Sequence, residues 1–180
     1  MKIILATPLY PPDIAEPAPY TKEVATRLGK RHEVTTIAYG RLPEKTPGVK
    51  IISVDKRTPL PIRLVVYSFA LWRAARRADV IYAQNGPSVE LPVGIVARIT
   101  GVPLIVRVGD ELAHQYAQKK TLRRFIERFA FGRAAQFITD TPQVRPEMSP
   151  LEPRPDEAFK KYERSWDAHL QVLDDSFRHA

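Results

Sequence analysis

The densest cluster of groups that could do chemistry is Gly109-Asp110-Glu111-Leu112-Ala113-His114, two carboxylates and an imidazole within six residues. A carboxylate here could act as a general base or hold a ligand hydroxyl. Asp110 is the catalytic candidate, with Glu111 and His114 as substrate-binding candidates beside it; solvated loop charges are the alternative. In Gln84-Asn85-Gly86-Pro87-Ser88, Asn85 and Ser88 could bind ligand hydroxyls or cap the helix that follows. The loop Pro8 to Pro19 contributes Tyr10, Asp13 and Glu16 as further substrate-binding candidates. The helix after this loop could receive a phosphate on its free N–H groups. Glu16 opposes that by occupying or repelling the anion, and a rigid proline turn is the competing reading. Finally, Lys119, Lys120, Arg123 and Arg124 share a helix with Leu122, Phe125, Ile126 and Phe129. Such a helix can lie on an anionic membrane surface; packing its apolar face on its own sheet is the commoner outcome, and the two can coexist.

Short apolar strands are expected to position these groups: Lys2 to Ala6, Val34 to Tyr39, Lys50 to Val54, Asp79 to Ala83, Leu104 to Val108 and Gln136 to Thr139. Helices are expected between most of them. One carries Tyr20, Val24, Ala25 and Leu28 and ends at Gly29; another, Ile62 to Ala78, is apolar on nearly all sides in its first half and should be buried there. A third ends at Thr100, capped by Gly101 with Pro103 blocking continuation. A basic helix spans Lys119 to Phe131. Alternating strands and helices predict a Rossmann-like α/β fold, a doubly wound parallel sheet of order 3-2-1-4-5-6. In such sheets ligands bind at the carboxyl ends of the strands, where the three loop clusters fall. Residues 1–141 form this domain. Residues 142–155 hold five prolines and read as a stiff linker. In residues 156–180 a last helix carries Phe159, Tyr162, Trp166, Leu170, Leu173 and Phe177 on one stripe, which should dock back on the sheet.

Composition narrows the function classes. The 180 residues suffice for one domain, and no apolar run reaches transmembrane length. The N-terminal run reads as a strand rather than a signal peptide. There is no cysteine, and the four histidines lack ligand spacing, so neither disulfide nor structural metal is expected. A cytoplasmic location is expected, with peripheral attachment at the inner membrane face as an option. The net charge of +8 points to an anionic partner such as nucleic acid, acidic lipid or a phosphorylated small molecule, or to a solvated basic face. Nucleic acid ranks last, because no recognition helix or aromatic-interleaved basic strand is evident. No glycine-rich dinucleotide fingerprint, P-loop or nucleophile elbow is present, which counts against NAD enzymes, P-loop NTPases and α/β-hydrolases.

Three stretches together resemble the N-terminal domain of family 4 glycosyltransferases of the GT-B fold: MKIILATPLYPPDIAEPAPYTKEVATRLGKRHEVTTIAYG, DVIYAQNGPSVELPVGIVARITGVPLIVRVGDE and LRRFIERFAFGRAAQFIT. The resemblance covers about residues 1–140. YERSWDAHLQVLDDSF is similar to the last helix of that family, which returns from the second domain to pack on the first. That second domain holds most of the nucleotide-sugar site, with two glutamates separated by seven residues, a spacing that does not occur here.

The resemblance implies an acceptor-binding half of a retaining, metal-independent glycosyltransferase with its returning helix rejoined, by natural or engineered deletion. It implies a nucleotide sugar as donor substrate, no cofactor, and a sugar or lipid-linked acceptor. The family's Gly-Gly at the donor diphosphate is Ala15-Glu16 here, and the histidine that many members carry after strand 5 matches Gly109, followed by Asp110. Alone, such a half is expected to transfer little or no sugar. A separate C-terminal GT-B half would be its partner. A non-catalytic scaffold or interaction module is the rival reading.

Overall fold

The computed structural model describes residues 1–84, 86–108, 121–139, 141–142 and 155–180. Its elements are β1 (Lys2–Ala6), α1 (Ala18–Leu28), β2 (Glu33–Tyr39), β3 (Val49–Val54), α2 (Leu60–Ala75), β4 (Val80–Gln84), α3 (Pro87–Thr100), β5 (Leu104–Arg107), α4 (Thr121–Phe131), β6 (Ala134–Ile138) and α5 (Pro155–His179). The six strands form one sheet in the order β3-β2-β1-β4-β5-β6, every pair parallel, as the alternation of elements predicts. β1 lies at the centre, with Ile4 level with Thr35 of β2 and Ile81 of β4. The chain therefore winds outward in both directions from the β1–β4 pair, and the loops after these strands leave to opposite faces.

Burial on both faces explains the near-continuous apolar strands. Ile3, Leu5, Tyr82 and Ile105 point to one face, where α1 and α5 bring Tyr20, Val24, Leu28, Trp166, Leu170, Leu173 and Phe177. Ile4, Ala6, Ile81, Ala83 and Val106 point to the other, covered by Tyr67 and Leu71 of α2 and Val89, Val93 and Val96 of α3. α4 lies against α3: a Cβ on Gly94 would come within 2.9 Å of the Phe129 ring. Gly101 ends α3 at φ 73°, the left-handed cap that its position predicts.

Three sequence expectations need correction. The first half of α2 is not buried all round. α2 lies in an outer layer, so only Tyr67, Leu71 and Ala75 are fully covered, while Leu60, Ile62, Val65, Val66 and Phe69 face out. Phe125 of α4 is likewise exposed, because α3 covers only one side of that helix. The α5 stripe docks from Tyr162 onward, whereas Phe159, about one turn upstream, is exposed. The proline-rich stretch falls almost wholly outside the described residues.

Charges register α5 on α1. Arg27 donates to both carboxylate oxygens of Glu163, at 2.9 and 2.8 Å, and to Glu23 at 2.7 Å, with its guanidinium over the Trp166 ring. Asp174 receives His32 at 3.0 Å and Arg31 at 3.4 Å. The hydrogen bonds from Arg27 hold the Glu163 carboxyl below its ordinary value of 4.5. A depressed folded value gives stabilisation that is present above the ordinary value and lost as pH falls through the folded one. Docking of α5 is therefore expected to weaken on acidification below about pH 4.5. Glu163 is over a third exposed, so the effect is under about 1 kcal/mol. Trp166 emission in a Trp72→Phe background measures it: Glu163→Gln should flatten part of the acid transition, and an unchanged transition would refute the assignment.

Candidate functional site

The crevice of a doubly wound sheet opens where the strand order reverses, between β1 and β4. Its floor is the carboxyl ends of β1, β4 and β5. Register sets Gln84, the last residue of β4, level with Arg107, the last of β5. Their side chains fall on the α1 face, and there Arg107 organises the site.

The Arg107 Nη1 donates to Glu16 Oε1 at 2.7 Å and to Gln84 Oε1 at 3.0 Å, and its Nη2 donates to Thr141 Oγ1 at 3.1 Å. The guanidinium carbon stands 3.7 Å from the centroid of the Tyr20 ring. That stacking explains how the first turn of α1 tolerates a cation beside it. The Arg107 side chain is 5% exposed and its Glu16 partner 46%. The Arg107 Nε is buried with no hydrogen-bond partner. Among the described residues, the site therefore holds a buried cation with one solvent-accessible counter-ion and an orphaned donor, an arrangement suited to anion exchange.

Below the guanidinium, the Tyr20 hydroxyl lies 2.7 Å from the Tyr82 hydroxyl and 2.7 Å from Nε2 of His169 on α5. Burial pushes the Tyr20 phenol up to about 12 and holds Tyr82 well above its ordinary value, so both remain neutral hydroxyls at physiological pH. The returning helix thus supports the floor of the crevice as well as covering the sheet.

The loop after β1 forms one wall and is strapped down. Tyr10 is buried, its hydroxyl 2.7 Å from Thr46 Oγ1, so this candidate anchors the loop and presents no free hydroxyl. Asp13 is paired with Lys56 at 2.6 Å. Glu16 faces Arg107, and its carboxylate neutralises the local cation. On the opposite wall Ser88 does not cap α3: its carbonyl accepts the Tyr39 hydroxyl at 2.7 Å, while Glu90 accepts the Gly86 N–H at 2.9 Å. Asn85, Asp110, Glu111, His114, Lys119 and Lys120 lie outside the described residues, as does the side chain of Arg123; Arg124 is exposed. Among the described residues, no group of three His, Asp or Glu could hold a metal ion.

Sequence reasoning missed Arg107, Gln84, Tyr20 and His169. The available signal was a basic residue ending the apolar run Leu104-Ile105-Val106, where a buried strand has no room for an unpaired charge.

A family model described as a glycosyl transferase 4-like domain matches residues 16–158. The chain belongs to this family. This glycosyl transferase 4-like domain also shares its fold with two-fifths or less of larger solved proteins. Anabaena Alr3699/HepE in complex with UDP aligns at TM-score 0.54 and 16% identity, covering 76% of this chain and 37% of that one. The same protein in complex with UDP and glucose aligns at TM-score 0.54 and 18% identity over the same shares. The UDP-GlcNAc 2-epimerase of Methanocaldococcus jannaschii aligns at TM-score 0.53 and 11% identity, over 78% and 40%. At these identities the likeness is one of fold. No curated protein matches the chain in sequence.

Proposed function

We propose that this domain is the acceptor-side wall of a retaining, nucleotide-sugar-dependent glycosyltransferase, the donor-binding wall coming from a second domain or subunit. Family membership supports sugar transfer. One observation supports the location: Arg107, buried at the β4–β5 edge, with Glu16 as its only carboxylate among the described residues. In this reading Arg107 meets an anionic group of the bound substrates, and Glu16 swings away when it does. Asp110, Glu111 and His114, which follow β5 in sequence, are assigned to acceptor hydroxyls, with Asp110 nearest the reaction. The donor is substrate, and no cofactor is invoked. Retention without a metal requires the leaving diphosphate to be stabilised electrostatically, chiefly from the second wall. One wall leaves the reacting centre open to water, so turnover by the domain alone is expected to be negligible.

The test is incubation of the pure chain with UDP-, GDP- and ADP-sugars and simple sugar acceptors, measuring released nucleoside diphosphate. Release at the blank rate is expected. Robust transfer by the chain alone would overturn the half-site reading.

A second reading, a non-catalytic module, is favoured by Ala15-Glu16 standing where the resemblance implies Gly-Gly. The Glu16 carboxylate fills the anion position itself. This reading predicts no nucleotide binding even after Glu16 is removed.

A further inference from the structure

The outward face of α2 is divided in two. Ile62, Val65, Val66 and Phe69 are 55, 69, 45 and 58% exposed. Arg73 follows on the same side, and Arg76 and Arg77 come in the turn that ends the helix, all three exposed. At 3.6 residues per turn Ile62, Val65, Val66, Phe69 and Arg73 fall within about 100° of the helix circumference. The opposite side carries Tyr67, Leu71 and Ala75 in the core. Scattered exposed apolar residues are normal, but four adjoining on one helix are not.

Charge identifies what covers them. From Lys56 to Ala78 there are six cationic residues and no Asp or Glu. Lys56 is paired with Asp13, and Arg63 donates to the Lys56 carbonyl at 3.0 Å. Among the described residues, the guanidinium groups of Arg57, Arg73, Arg76 and Arg77 have no carboxylate partner. A protein partner would meet this face with mixed charge at its rim, whereas an anionic bilayer offers hydrocarbon beneath a sheet of phosphates. Arginine stems can lie along the apolar boundary while their heads reach those phosphates. Phe69 and Trp72 form a tilted pair 5.8 Å apart, with Arg76 over the indole, an aromatic group suited to headgroup depth. No helix among the described residues is long and apolar enough to cross a membrane.

We infer that α2 is a peripheral docking face for an anionic lipid bilayer, residues 62–69 entering the acyl boundary and Arg73, Arg76 and Arg77 binding headgroup phosphates. The inference does not depend on the sugar-transfer reading. It assigns the membrane to α2 rather than to the basic helix α4. α2 begins six residues after β3 ends, so its apolar half lies near the carboxyl edge of the sheet, where the crevice opens. A docked bilayer would thus stand close to the crevice mouth.

The test is flotation of the whole chain with vesicles of phosphatidylcholine, and of phosphatidylcholine mixed with phosphatidylglycerol. Binding only to the mixed vesicles, weakening with salt, is expected. Val65→Ser with Phe69→Ser, and separately Arg73→Gln with Arg77→Gln, should each reduce it by about tenfold or more. These side chains are exposed, so circular dichroism should show the fold retained. Phe69→Trp should keep binding and show a blue-shifted emission with mixed vesicles. Equal or absent binding to both vesicle types would overturn the inference. So would loss of binding through Arg124→Gln with the α2 variants unaffected, or a dimer, seen by sedimentation, that Phe69→Ser abolishes in a chain that ignores vesicles.

Discussion

Trp166→Ala is expected to destabilise the domain by about 3–5 kcal/mol, the range for removing a large buried aromatic. Trp166 has no exposed surface and packs on Tyr20 at 5.8 Å between centroids, with the Arg27 guanidinium 5.3 Å above its ring. Its loss opens a cavity where α5 crosses α1 and removes the stacking surface of the cation that holds Glu163. Leu170, Leu173 and Phe177 continue the same buried stripe over Tyr82 and Ile105. A partial undocking would bare all of them together, so the variant cannot relax locally. Urea unfolding followed by circular dichroism measures the loss. A cost below about 1 kcal/mol would mean that α5 is an appendage and that the sheet is stable without it.

Glu16→Ala has the second largest expected effect, and its sign depends on what else is in solution. Among the described residues, the substitution leaves Arg107 buried with Gln84, Thr141 and the Tyr20 ring around its charge. Breaking a fully buried ion pair costs about 3–5 kcal/mol; Glu16 is half exposed, so water reaches the vacated side and about 2 kcal/mol is expected. An anion that takes the carboxylate's place restores that loss in proportion to the logarithm of its concentration over Kd. Inorganic phosphate or UDP should therefore raise the melting temperature of Glu16→Ala by several degrees and change the parent chain little. Glu16→Ala with Arg107→Met should lose the response. Equal responses in the parent and both variants would show that Arg107 is a structural cation alone.

The sheet could be read from the chain because its strands obey a local rule. The central strands are apolar on nearly all of both faces, all six are short and bounded by turn residues, and the winding order follows from the alternation of elements. Gly101 was legible for the same reason, since a left-handed cap has a residue-level signature. The exposure of α2 was not. An all-apolar helix reads as buried, and nothing local tells an outer layer from an inner one. Tyr10 carried a misleading signal: an aromatic hydroxyl at a strand end suggests ligand contact, but Thr46, distant in sequence, takes it. Arg107 and His169 required cross-strand register and the return of α5. The Tyr20–His169 contact spans 149 residues, beyond the reach of any spacing argument.

The most direct test of the half-site account is amide NMR of the isotope-labelled chain during titration with UDP and with UDP-glucose, for the parent and for Glu16→Ala. The account predicts weak, saturable shifts confined to Thr7–Tyr20, Gln84–Ser88 and the end of β5 through His114, with tighter binding in Glu16→Ala. An unmoved spectrum in both chains, or shifts centred on another edge of the sheet, would contradict it.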